Sequence, residues 1–221
     1  MPAYRAGLAR RCDPGDVFEL LTGTGLASSA GLNAYIPLLT VGVLARYTSL
    51  ITLPDGWQWM SDEWVLGILA VLLVVEVVAD KVPVVDHVND VVQTVVRPTA
   101  GGLAFGAGSA SETVTVSDPG GFFSSDQWVP VLVGVLIALG IHLLKATARP
   151  VINTATAGIG APVASTAEDA TSVVMSVVAI LLPVLVLVFL VALLIGGPLL
   201  IRRARQRRRD RQAARAAGYR V

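Results

Sequence analysis

Apolar positions along this chain recur with helical rather than strand periodicity, and they gather into long runs. A bilayer hydrocarbon core about 30 Å thick takes roughly 20 apolar residues of helix. Four runs approach that length, at about 17–47, 63–81, 128–148 and 171–201. The last contains VVMSVVAILLPVLVLVFLVALLIGGPLLI, Val173 to Ile201, and carries no charge. As one straight helix it would extend about 43 Å, so tilt or a kink at Pro183 is expected to absorb the excess. The first run differs from the rest: TGTGLASSAGLNAYIPLLTVGVLA is rich in small residues and includes Asn33 and Pro37. The pattern predicts an all-α, polytopic membrane protein with about four transmembrane helices.

Two further segments, at about 84–108 and 149–165, are read as polar or re-entrant helices. VVRPTAGGLAFGAG (Val95 to Gly108) and TARPVINTATAGIGAP (Thr147 to Pro162) each place Arg-Pro ahead of Gly, Ala and Thr. Small residues of this kind let helices pack closely. A duplicated unit with broken helices, whose half-helix N-termini follow Pro98 and Pro150 and face an anion, is the alternative reading.

Ionisable residues interrupt the apolar background at helical spacing. Asp86, Asp90, Gln93 and Arg97 fall at i, i+4, i+7 and i+11, one face of a helix whose other positions are nearly all valine. Carboxylates at its start and a guanidinium towards its end also suit the helix dipole, which accounts for part of the pattern without any function. Glu76 and Asp80 share a face at i, i+4; His142, Lys145 and Arg149 share one at i, i+3, i+7. A charge at mid-membrane costs about 2.5–3.5 kcal/mol on insertion scales. The economical arrangement points both stripes inward and pairs Glu76, Asp80, Asp86 or Asp90 with Arg97, Lys145 or Arg149. Glu168 and Asp169 are placed to join from the other side. Two accounts fit: charges near helix ends that fasten helices and reach water, or a polar cavity that binds an ion, a proton or an anionic headgroup.

Composition sharpens this picture. Of 221 residues, 54% are hydrophobic and 15% charged, and the mean hydropathy is +0.68. A soluble domain carries roughly 25% charged residues, so lipid is the expected solvent. The formal net charge of +1 hides an asymmetry: nine of the seventeen basic residues lie between Arg202 and Arg220. Such a block directly after an apolar run is expected to hold a cytoplasmic helix end at anionic lipids, rather than to bind nucleic acid. TSLITLPDGWQWMSDEW, with three tryptophans, three acids and no base, reads as a non-cytoplasmic loop. The N-terminal segment 1–16 and the tail 202–221 are then both cytoplasmic, in a multi-pass protein of the plasma or inner membrane. The start MPAYRAGLARRCDPGD has no apolar core of its own and is not expected to be a signal peptide. The single cysteine, Cys12, allows no internal disulfide.

Named chemistries find less support. Asp86 and Asp90 suit a Mg²⁺ ion held against a lipid phosphate, but no second Asp-rich motif follows. Two histidines and one cysteine are too few for a zinc site. There is no G-x-S-x-G nucleophile setting and no phosphate loop with its lysine. His87 reads as an ordinary interfacial histidine.

The Ala30-Gly31-Leu32-Asn33-Ala34-Tyr35-Ile36-Pro37 stretch, VE-x-x-ADK-x-P-x-x-DH-x-x-D from Val75 to Asp90, and RP-x-AG from Arg97 to Gly101 resemble a bacterial membrane-protein family. It is catalogued as domain of unknown function 4126 (DUF4126). The likeness runs from about Leu20 to Leu194, leaving the tail and the loop at 109–127 as additions. The resemblance implies an integral membrane protein and makes Asn33, Glu76, Asp80, Lys81, Asp86, Asp90 and Arg97 family-pattern residues; it implies no activity. With His142, Lys145 and Arg149 these are the candidate binding residues. The first expectation is a small transporter or channel-like protein, ion- or proton-linked, without a cofactor. Four spans are few for a transporter, which makes a homodimer a natural expectation. An enzyme or carrier acting on a lipid phosphate with Mg²⁺, and a non-catalytic scaffold, are the alternatives.

Overall fold

The computed structural model describes residues 14–81, 83–109, 128–156 and 160–189, together with positions 191, 192, 195, 202, 203 and 206; side chains at 14–16, 83–88, 153 and 155 lie outside that description. The described residues form helices and connecting turns, with no strand among them. The helices are α1 (Pro14–Leu32), α2 (Tyr35–Tyr47), α3 (Glu63–Ala79), α4 (Pro83–Ser109), α5 (Trp128–Thr156) and α6 (Gly160–Leu181). A 3-10 helix at Asp55–Ser61 leads into α3.

Helix α1 lies in the middle and packs on α4, α5 and α6. Its small residues permit this. A Cβ on Gly25 would lie 2.5 Å from Ala179 Cβ and 2.8 Å from Val186 Cγ2, and one on Gly31 would lie 2.7 Å from the Ala138 carbonyl. Between α4 and α5, a Cβ on Gly101 would stand 2.9 Å from the Gly134 carbonyl. At Gly31 and Gly101 the added Cβ would meet a backbone carbonyl, so small residues are what let these helices approach so closely.

The run expected as one span at 17–47 is two helices. α1 stops at Leu32, and Asn33 starts α2: its Oδ1 accepts hydrogen bonds from the Tyr35 and Ile36 amides at 3.1 and 3.2 Å. The amide side chain satisfies donors that a helix start leaves without partners. Asp62 does the same for α3, accepting from the Trp64 amide at 2.9 Å. Arg46, ending α2, pairs with Glu63, beginning α3.

The last run also differs from expectation. α6 begins at Gly160, well before 171, and its continuous part ends at Leu181. Pro183 has no N–H to continue the ladder. The chain turns through Leu185 and Val186 amides bonded to the carbonyls of Leu182 and Pro183, 2.9 and 3.0 Å away, and helix resumes at 184. By contrast, α4 and α5 continue through Pro98 and Pro150. The half-helix N-termini expected after the two Arg-Pro pairs are therefore not formed.

Trp128–Ile152 and Gly160–Leu181 are long and apolar enough to cross a membrane. The 17 residues of α3 rise about 26 Å. An apolar core that includes Leu26, Val41, Met60 and Val186 lies beside a buried group of charges, and the outer faces are apolar. Val71, Val95 and Val163 are 64%, 71% and 69% exposed, whereas Glu76, Asp80 and Arg97 are at most 1% exposed.

Candidate functional site

The buried charges meet at one level of the bundle, near the end of α1, the end of α3, the first half of α4, the second half of α5 and the start of α6. Asp80 stands at the centre. Its Oδ2 accepts from Lys145 Nζ at 3.0 Å and Arg149 Nη2 at 3.1 Å, with Arg97 Nη2 at 3.5 Å. Its Oδ1 accepts from Asn89 Nδ2 at 2.7 Å. Three cations from two helices thus surround one carboxylate on a third.

Each cation has a second anion. Arg97 donates through Nε and Nη2 to Glu76 Oε1 at 3.2 and 2.8 Å. Lys145 and Arg149 both reach Glu168 Oε2, at 2.9 and 2.8 Å. Lys145 also donates to the Leu32 carbonyl at 3.1 Å, fastening α5 to the last turn of α1. At the edge, Asn33 Nδ2 donates to Asp169 Oδ1 at 2.9 Å, and Lys81 Nζ lies 4.0 Å from Asp169 Oδ2.

Arg97 fixes the state of His142. Its Nη1 lies 3.1 Å from His142 Nδ1, and a guanidinium only donates. Nδ1 is therefore the acceptor, the ring is neutral, and Nε2–H points at Thr94 Oγ1, 3.1 Å away. Thr94 in turn donates to the Asp90 carbonyl.

The structure brings Glu76, Asp80, Arg97, His142, Lys145 and Arg149 into one network with Glu168, and sets Asn33, Lys81 and Asp169 beside it as a second cluster. Asp90 sits half-buried one turn before Thr94, its Oδ1 lacking a hydrogen-bond partner. The side chain of Asp86 lies outside the described residues, as does that of His87. The Asp86–Asp90 pair weighed for Mg²⁺ is therefore not placed. Among the described residues no group of three or more His, Cys, Asp or Glu is arranged to hold a metal ion.

The charged groups are packed against one another rather than around a void. A cavity of about 270 Å³ touches the network at Lys145 and Glu168, and Ser28, Leu32, Ile141 and Phe189 line its other sides. A second, of about 530 Å³, lies towards the other end of α1 among Thr22, Leu26, Thr52, Gly108 and Pro183, away from the charges. Position next to the chemistry favours the smaller one as the approach to the network.

A hydroxyl seam joins α1 and α6. Ser29 Oγ lies 2.7 Å from both Ser172 Oγ and Ser176 Oγ, and Ser172 Oγ donates to the Ser29 carbonyl at 3.1 Å. Ser165, Ser172 and Ser176 are all fully buried. Their spacing of i, i+7, i+11 was a readable stripe, obscured because serine passes for a small packing residue.

A family model described as "Domain of unknown function (DUF4126)" matches residues 20–203. No curated protein and no solved structure matches the chain.

Proposed function

The chain belongs to the DUF4126 family, whose description assigns no activity, and on that premise we propose a small multi-pass membrane transporter or channel-like protein that is ion- or proton-linked. One observation carries the reading: a network in which Arg97, Lys145 and Arg149 converge on Asp80 is enclosed by helices whose outer faces are rich in valine and leucine. Water does not tolerate so much exposed apolar surface on a monomer. Lipid does, and it then makes every inward charge expensive unless paired or put to use.

The reading has α1–α2, α3, α5 and α6 with its continuation as the four spans, α4 packed among them, and both termini on the cytoplasmic side. The basic tail lies at anionic headgroups of the plasma membrane, and a second copy of the chain is the natural partner. The network supplies a binding level at which one ion can exchange partners with fixed charges. Glu168 is the point of entry, because its side chain is 18% exposed and borders the 270 Å³ cavity.

The test is flux. Purified protein in liposomes is expected to dissipate an imposed ion or pH gradient, and Asp90→Asn and Glu168→Gln to abolish that flux while the protein elutes as a folded species. Flux equal to wild type in both variants would remove the reading.

A further inference from the structure

We propose that Glu76 is carried as a neutral carboxylic acid, its Oε2–H donated to Gln93 Oε1, and that this pair is the proton-binding site of the molecule. The proposal rests on the ion- or proton-linked reading and names the proton as the ion.

Two buried acceptors lack donors: Glu76 Oε2 and Gln93 Oε1. Their residues are 1% and 2% exposed. The register of the α3–α4 hairpin places their residues at the same level. Asn89 bonds Asp80 across the turn at 2.7 Å, so one helical turn further from the turn Gln93 comes opposite Glu76. The half-buried Tyr35 of α2 lies beside both. Each buried acceptor oxygen without a donor forfeits a hydrogen bond, at about 1–3 kcal/mol apiece. One hydrogen on Oε2 satisfies both at once. The other oxygen, Oε1, is then the carbonyl of the acid and still accepts both Arg97 bonds.

The groups around Glu76 come from every side: Tyr35 from α2, Gln93 and Arg97 from α4, Lys145 from α5, Asp80 from its own helix, His142 behind Arg97, and Glu168 of α6 behind Lys145. On release, the Oε2–H bond breaks, the proton passes to water on the Tyr35 side, and the carboxylate left behind is held by Arg97. Reloading takes one proton back from water to the same oxygen.

The test is infrared spectroscopy of purified protein at neutral pH, in H₂O and D₂O. A carboxylic-acid C=O band is expected in the wild type, absent in Glu76→Gln and retained in Asp90→Asn. Gln93→Met is expected to raise the frequency of that band, because the acid O–H loses its acceptor. Glu76→Gln keeps the shape and hydrogen-bonding pattern of the neutral acid, so its thermal midpoint should match wild type. If no acid band is lost in Glu76→Gln, Glu76 is ionised and the amide of Gln93 donates to it; if the band ignores Gln93→Met, Gln93 is not the partner of the acid; either result overturns the proposal. Because the spectrum needs no transport, an intact band without flux overturns only the transport reading, and flux without the band overturns only the proton site.

Discussion

Replacing Asp80 with Asn removes the charge on which the network converges while preserving shape. The side chain would still accept one hydrogen bond, but Lys145 at 3.0 Å, Arg149 at 3.1 Å and Arg97 at 3.5 Å would face one another around a neutral oxygen. Two of these are hydrogen bonds between charged groups, each worth about 1.5–3 kcal/mol net. Together they agree with the roughly 3–5 kcal/mol measured when one partner of a buried pair is deleted. For a chain of this size that corresponds to a midpoint about 6–20 °C lower. Tryptophan fluorescence during heating of detergent-purified protein reads it, since Trp64 lies in the first turn of α3 and Trp57 and Trp59 in the 3-10 helix leading into it. Adding Lys145→Met to Asp80→Asn removes the surplus cation and should restore roughly 1–3 kcal/mol as coupling between the two sites. An Asp80→Asn midpoint within about 2 °C of wild type, or strict additivity in the double variant, would refute the idea that Asp80 holds the cations together.

Other perturbations test other joints of the fold. Asn33→Ala removes the start of α2 and the Asp169 partner together; a loss of about 1–2 kcal/mol in thermal or denaturant unfolding is expected. Gly134→Val forces a side chain into Phe105 and the Gly101 backbone. It should cost about 1–3 kcal/mol by overpacking in the same assay, whereas Gly140→Ala, where no atom lies within 4 Å of an added Cβ, should not destabilise.

Helical spacing made part of this site readable. His142, Lys145 and Arg149 at i, i+3, i+7, and Gln93 and Arg97 at i, i+4, share faces in any α-helix, and unpaired charges among valines had one economical direction to point. Spacing within one helix cannot tell which acid on α3 meets which base on α5, and Asp80 emerges as the centre only when three helices are assembled. The break at Asn33 was hidden because Asn occurs in polar stripes as readily as at helix starts. The two Arg-Pro pairs misled in the opposite direction: proline suggests a new helix start, but α4 and α5 absorb Pro98 and Pro150 within continuous helices. Pro183 does interrupt α6, where the following residues bond three positions back.

The most direct test of this arrangement of buried charges and apolar outer faces is collision accessibility of spin labels in reconstituted bilayers, in a Cys12→Ser background. Labels at Val75, Val95 and Val174, whose side chains are 57%, 71% and 61% exposed, should collide freely with membrane-soluble oxygen and hardly at all with a water-soluble nickel chelate. Equal or greater collision with the nickel chelate at these three positions would put their faces in water, and the buried charges would then have no lipid to be shielded from.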